Sequence, residues 1–236
     1  TWSMILMGVI ISPLGDFRVG INPGTATEAG GDLNDTLAII GFRRATGAYD
    51  PIFQRTPLET WGIAADSIAG YVDNSGISVP TVLNLVPNGP MVFAASSATG
   101  SFFLRSGIDY LRIDKTYSFL AENVLRIRHT ITNISGAAQV VRFRRRVDWD
   151  VDYRGIYGPT FREIAVFPAN PPGSPIAGWS DVPFISDDSP NPLVAFVNPI
   201  TPPYTSPAAT DIGEATDYNF GTVAADASVM FDYHYA

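Results

Sequence analysis

The chain has 236 residues, 46% of them hydrophobic, and a formal net charge of −8, so it can bury a sizeable core and is too apolar to be dominated by disorder. It contains no cysteine, which removes disulfides, thiolate metal sites and cysteine nucleophiles together. An acidic whole with no nucleic-acid reader motif argues against a nucleic-acid partner, and no run of about 20 apolar residues is present to span a membrane.

With 21 glycines, 19 prolines and no window of sustained helical periodicity, the chain is predicted to consist of strands and loops. The first element, Met4 to Ile11, is a near-continuous apolar run closed by Ser12-Pro13, the pattern of a strand buried on both faces. Met4, Ile5, Leu6, Met7, Val9, Ile10 and Ile11 can complete the chain's own sandwich or enter a neighbouring copy, as in strand-addition assemblies. Residues 1–12 are therefore a candidate exchange strand. Phe17 to Ile21 and Leu37 to Phe42 read as strands, separated by the small polar loop GTATEAGGDLND. Leu58 to Val72 is an apolar, partly irregular passage before a turn at Asp73 to Gly76. Further strands are predicted at Ser78 to Val86, Met91 to Ser96, Ser101 to Ser106 and Tyr110 to Phe119.

The clearest signal is VLRIRHTITNISGAAQVVRFRRRVDWDVD, which begins at Val124. Leu125, Ile127, His129 and Ile131 fall on one face, with Arg126, Arg128, Thr130 and Thr132 on the other, the period of a half-buried strand. A second arm puts Val141, Phe143, Arg145, Val147 and Trp149 on one face and Arg142, Arg144, Arg146, Asp148 and Asp150 on the opposite one. With Asn133, Ser135 and Gly136 between them, the arms read as an antiparallel β-hairpin whose apolar faces need a second layer. Residues 168–207 hold eleven of the nineteen prolines and are confined to loops and short edge strands at Pro183 to Ile185 and Leu193 to Val197. Tyr218 to Ala236 reads as a closing hairpin around Ala224-Ala225-Asp226, with Phe231, Tyr233 and Tyr235 on its buried face and Asp232 and His234 on its polar one. The expected architecture is all-β: one large antiparallel β-sandwich or supersandwich domain over residues 1–236, with little helix and Pro/Gly-rich loops.

Several of these segments resemble, in order, those of a family of secreted bacterial surface proteins, many with PEP-CTERM-type sorting tails. Thr130 to Ala137 and Val141 to Val151 are similar to the family's TITN.SGA and VRYRRV.DWDV segments. Pro57 to Val72 resembles its EGWGVA element, Phe161 to Phe167 its following strand, Ser186 to Leu193 its SDDGF..PNPL turn and Tyr218 to Ala236 its last hairpin. The resemblance runs from about Gly8 onward and implies an extracellular or cell-surface location and a β architecture. It brings no catalytic residues. The chain departs from it by carrying PLETWG where relatives often have a cysteine, and by stopping at Ala236 without an anchor.

Charge is segregated along the chain: residues 101–146 carry nine Lys and Arg against three Asp and Glu, and residues 147–236 two against twelve. The expected use of Arg126, Arg128, Arg142, Arg144 and Arg146 is a salt-bridge ladder with Asp148 and Asp150 across the sheet. Asp148, Asp150 and Asp152 recur on one strand face about 7 Å apart, leaving two further chemistries open. They can hold calcium if loop carbonyls join them, or serve as a carboxylate pair in glycoside hydrolysis, although nearby arginines would keep a general acid ionised. Asp187-Asp188 and Gly30 to Asp35 are weaker calcium candidates that turn capping explains as well.

Of the two histidines, His129 reads as a hydrogen-bonded core residue and His234 as a solvated one. Trp61 and Trp149 are expected to pack inside, and Trp179 to be the exposed aromatic. Asn34 and Asn133 begin matches to the N-glycosylation sequon that are read as incidental, with Asn133 expected on an exposed turn. These features together predict a non-enzymatic structural protein of a bacterial envelope or matrix that needs no cofactor. It would self-assemble into a homo-oligomer or polymer, with a calcium-stabilised, surface-polysaccharide-binding adhesive module as the alternative.

Overall fold

The structure is a computed structural model that describes residues 8–14, 17–21, 39–44, 59–73, 81–149, 166–167, 169–170, 172–182, 188–205 and 212–235. Among them are eighteen strands and no helix, hence none long and apolar enough to cross a membrane. In chain order they are β1 (Gly8–Ile11), β2 (Phe17–Ile21), β3 (Ile39–Arg44), β4 (Glu59–Ala65), β5 (Ile68–Asp73) and β6 (Thr81–Leu83). There follow β7 (Leu85–Pro87), β8 (Val92–Phe93), β9 (Ser97–Ser106), β10 (Ile108–Ala121), β11 (Val124–Asn133) and β12 (Gln139–Trp149). The last six are β13 (Val166–Phe167), β14 (Ile176–Val182), β15 (Pro199–Ile200), β16 (Tyr204–Thr205), β17 (Ile212–Val223) and β18 (Ser228–Tyr235).

Two antiparallel sheets pack together as a β-sandwich. One has seven strands in the order β15-β14-β17-β12-β4-β5-β6; the other runs β18-β11-β10-β9-β7, with β8 also on β9. A small sheet, β1-β2-β3, and a β13-β16 pair complete the described strands. The predicted strand Phe17 to Ile21 coincides with β2, and β10 extends its prediction at both ends. The passage from Leu58 to Val72 resolves into β4 and β5, whose turn places Asp66 at φ 48°, a left-handed conformation that Asp tolerates better than most residues. Ser78 to Val86 is not one strand. Asn84, at φ 53°, breaks it into β6 and β7, which belong to different sheets, and its amide donates to Ala69 O at 2.8 Å.

The larger correction concerns the two predicted hairpins. The arms of the 124–149 segment do not pair with each other: β11 lies between β10 and β18, whereas β12 lies between β4 and β17. The connection therefore crosses from one sheet to the other. The alternation itself is as read, with Leu125, Ile127, His129 and Ile131 buried on one side and Val141, Phe143, Arg145 and Val147 on the other. Crossing turns these two faces toward each other, and the His129 and Phe143 rings meet at 4.7 Å across the interface. The final hairpin behaves in the same way, with β17 in the seven-stranded sheet and β18 in the six-stranded one. Leu193 to Val197 is a loop rather than a strand, Met91 to Ser96 narrows to β8, and Pro183 to Ile185 lies outside the described residues.

Both crossings meet at Asn133, which is fully buried. Its side-chain amide donates to Ala137 O at 2.7 Å and Val223 O at 2.9 Å, and its Oδ1 accepts from the Ser135 hydroxyl and backbone N–H. Its main chain donates to Ala227 O and accepts from Asp226 N, each at 2.9 Å. One asparagine thus satisfies carbonyls of both connections, and it is buried rather than on the exposed turn expected.

Asn133→Asp keeps the size but turns a carboxylate toward two carbonyl oxygens. We expect it to lower unfolding free energy by about 3 kcal/mol, the scale of stranding buried acceptors and desolvating a charge, measured by urea denaturation. A loss below about 0.5 kcal/mol, the range of ordinary surface substitutions, would contradict this role.

Candidate functional site

Arg126 and Arg128 of β11 and Arg142, Arg144 and Arg146 of β12 lie on the outer faces of different sheets, so the two arms do not face each other as the ladder across one hairpin requires. Arg128 instead makes a two-pronged pair with Asp232 of β18, both bonds 2.7 Å, and these bonds hold the Asp232 carboxyl below its ordinary range. Arg126 donates to the Ser118 hydroxyl at 3.1 Å. On β12, Arg142 is exposed while Arg144 and Arg146 are buried. Asp148 pairs through its backbone with Gly213. Its side chain, and all of Asp150 and Asp152, lie outside the described residues, as does the calcium or carboxylate-pair site predicted on them. Among the described residues no three His, Cys, Asp or Glu side chains gather as a metal site.

Arg144 is the organising residue of the outer face. Its guanidinium bonds both oxygens of Asp217 at 2.6 and 2.7 Å and donates to Ser189 O at 2.8 Å and Val194 O at 2.9 Å. The Phe196 ring lies 4.0 Å from its central carbon. It thereby fastens residues 188–198 across the sheet. The row it occupies is Tyr71, Gly62, Arg144, Asp217, Gly178. A Cβ on Gly62 would stand 2.1 Å from Pro190 O, so the loop can lie flat only over glycine. Asp188 accepts from Val197 N, nine residues on, at 2.6 Å, which ties the two ends of the loop, while Ser189 and Asn191 cap its turns by accepting from Asn191 N at 3.2 Å and Leu193 N at 2.9 Å; Asp187 lies outside the described residues.

Arg144→Lys retains charge but not the planar fork. A cost of about 2 kcal/mol is expected from the lost charge-assisted bonds, with amides of residues 188–198 exchanging faster than those of β12. Uniform exchange across both regions would count against a clamping role.

Between the sheets lie three buried basic side chains: His129 and Arg145, which the alternation placed there, and Lys115 of β10, for which it gave no face. Lys115 Nζ stands over Trp61 at 4.8 Å and Tyr117 at 5.4 Å. Arg145 lies 4.5 Å from the Tyr233 ring, donates to Tyr235 Oη at 2.7 Å and reaches Glu214 at 3.6 Å. His129 stacks on Phe231 at 4.8 Å and meets Tyr233 Oη at 3.3 Å. Burial, then the charges of Lys115 and Arg145, hold its imidazole well below the ordinary histidine value. Tyr218, whose ring meets Phe143, is pushed up to about 12 by burial.

The sign for His129 follows directly. At neutral pH it is uncharged in both folded and unfolded chains. As pH falls below about 6.5, the unfolded chain takes up a proton that the folded one refuses, so stability drops by about 1.4 kcal/mol per pH unit. Urea unfolding should show a loss of about 1.3 kcal/mol between pH 7 and 5.5, steepening toward the lower end, and His129→Leu should lack it. Equal slopes in the two proteins would rule out this origin.

The remaining feature is an edge. Asn133 N donates to Ala227 O and Ile134 N to Tyr110 O, so odd-numbered residues of β11 bond toward β18 and even-numbered ones toward β10. With Thr130↔Met230, Arg128↔Asp232 and Arg126↔His234 in register, the N–H and C=O groups of Met230, Asp232 and His234 point away from β11. No strand among the described residues pairs there. Met230 is also 59% exposed on the outer face. Phe231 packs on Tyr218 at 4.7 Å and Arg145 lies over Tyr233, which sets β18 opposite β17 and β12. The seven-stranded sheet continues past it by β14 and β15. Beside β18, the six-stranded sheet thus stops short of its partner.

Placement of the other candidates is simpler. Trp61 is in the core, His234 is exposed, and Trp179 is half-buried with its indole N–H held by Asn170 at 3.0 Å, so it is not a free stacking platform. The side chains of Trp149 and of β1, and all of residues 1–7, lie outside the described residues. The class of protein this defines is an antiparallel β-sandwich, and β18 is one of its edge strands among the described residues. No protein-family model and no curated protein matches the chain.

Proposed function

We propose that this chain is a non-enzymatic structural protein of a bacterial surface or matrix that assembles with copies of itself by strand addition. The observation carrying this reading is the open edge of β18, eight residues long, with the outward backbone groups of Met230, Asp232 and His234 unpaired among the described residues. An exposed edge is a template for another strand, and sheet proteins ordinarily blunt it with charge, proline or a covering segment. Here Asp232 is held by Arg128, and the apolar Met230 is exposed beside it. The resemblance of the motif order to secreted surface proteins supports the location. Arg128, Arg144 and Arg145, engaged by Asp232, Asp217 and Glu214 within the chain, serve to hold the fold.

The purified protein is expected to form species of rising mass as its concentration increases, seen by light scattering after size exclusion and as particles or filaments by electron microscopy. A strictly monomeric protein up to its solubility limit would refute the reading.

A further inference from the structure

Building on this reading, we infer that the occupant of the β18 edge is the apolar segment Trp2 to Met7 of a second copy, so that copies join head to tail. Three observations point to this segment.

The first is position. β1, which continues directly from Met7, contacts β8 and β9, on the side of the six-stranded sheet opposite β18. Just past β1, the Ser12 hydroxyl and Leu14 N–H donate to Glu122 in the turn between β10 and β11, the latter at 2.5 Å. A segment leaving one edge of a sandwich and entering the far edge of the next makes a heterologous contact, and such contacts extend into filaments when the rotation does not close. The alternative use of the same edge, two β18 strands pairing about a two-fold axis, is obstructed. Each seven-stranded sheet projects past its own β18 by β14 and β15, and the two-fold would bring both projections into the same space. A single added strand meets the projection as a floor.

The second is pattern. At about 3.4 Å per residue, the six residues Trp2 to Met7 can run along the eight-residue β18. Trp2, Met4 and Leu6 alternate with Ser3, Ile5 and Met7. One face can therefore rest over the apolar interior that includes Ile176 and Phe220, while the other lies beside exposed Met230.

The third is charge. Residues 1–7 carry no charged side chain, in a chain of net charge −8. Copies of an acidic protein repel at long range, and a contact made of backbone hydrogen bonds and apolar side chains does not depend on pairing charges. Added salt should then leave association unchanged or strengthen it.

Two complementary variants test the assignment. Met230→Pro removes an N–H that points away from β11, which an edge strand tolerates, and so closes the acceptor while keeping the donor. A chain lacking residues 1–7 keeps the acceptor and has no donor. Each alone is expected to be monomeric, and their mixture to form a one-to-one dimer and nothing larger, by light scattering after size exclusion. His234→Pro serves as a second acceptor variant should Met230→Pro unfold by circular dichroism. If wild-type protein assembles but the mixture stays monomeric, or the shortened chain still assembles, this occupant is wrong while self-assembly stands. If wild-type protein never assembles, both are overturned.

Discussion

The crossing of the chain at Asn133 is the constraint from which the rest of the sandwich follows. Residues on either side of it alternate cleanly, and alternation alone fixes which side chains share a face but not which strand lies next to which. By passing from β11 in one sheet to β12 in the other, the chain aims both apolar faces at the same interior. His129 and Phe143 then meet, Phe231 enters from β18, and Tyr218 from β17. A flat hairpin would have exposed one of these faces or needed another layer to cover it. The second crossing, between β17 and β18, is bonded to the first through Asn133. The two connections stabilise one another, and four of the longest strands take their sheet assignment from a single buried amide.

That arrangement also explains how a core carrying Lys115, His129 and Arg145 remains folded. The inner faces are aromatic where the cations fall: Trp61 and Tyr117 around Lys115, Tyr233 and Tyr235 around Arg145. Ring faces and phenolic oxygens offset part of the desolvation of a buried cation, and His129 responds to the same surroundings by staying neutral. On the outer face the solution differs. Arg144 is desolvated but surrounded by acceptors, two carboxylate oxygens and two loop carbonyls, a geometry that a planar five-donor group can satisfy and a lysine cannot. The preponderance of arginine, fourteen against one lysine, has a use at Arg144 and Arg128, where the forked geometry is realised.

What was legible in the sequence was local. The all-β class, the burial of alternate residues on β11, β12 and β18, and the core position of His129 follow from periodicity, which short-range sterics and solvent exposure dictate. Pairing did not follow, because Asn133, Ser135 and Gly136 are equally good residues for a tight turn and for a crossing between sheets. The partners of Arg128 and Arg144 were missed for that reason: Asp232 and Asp217 are distant in sequence, and the nearby Asp148 offered a simpler partner for a hairpin that does not exist. Strand β14 was hidden by the density of prolines around it, although Ile176 to Val182 contains none. The loop over Gly62 left a trace only in the run Trp61-Gly62, where a side chain is absent in the middle of a strand. Asn84 left a similar one, an asparagine within an apolar run at the point where the chain changes sheets.

Edge and interior are linked by the same topology. A sandwich whose sheets hold unequal numbers of strands must end with one sheet projecting, and here the shortfall falls beside the strand that carries Phe231, Tyr233 and Tyr235 into the core. The inward-facing bonds of β18 are committed to β11, and its aromatic face to the cations and rings opposite. Its outward backbone groups are therefore held extended and aligned by contacts that do not depend on a partner. Such an edge costs little to order when a strand arrives, since its conformation is already fixed. The interior that stabilises the fold thus prepares the edge, and altering the aromatic face of β18 would disturb both at once, whereas a proline at an outward position separates them.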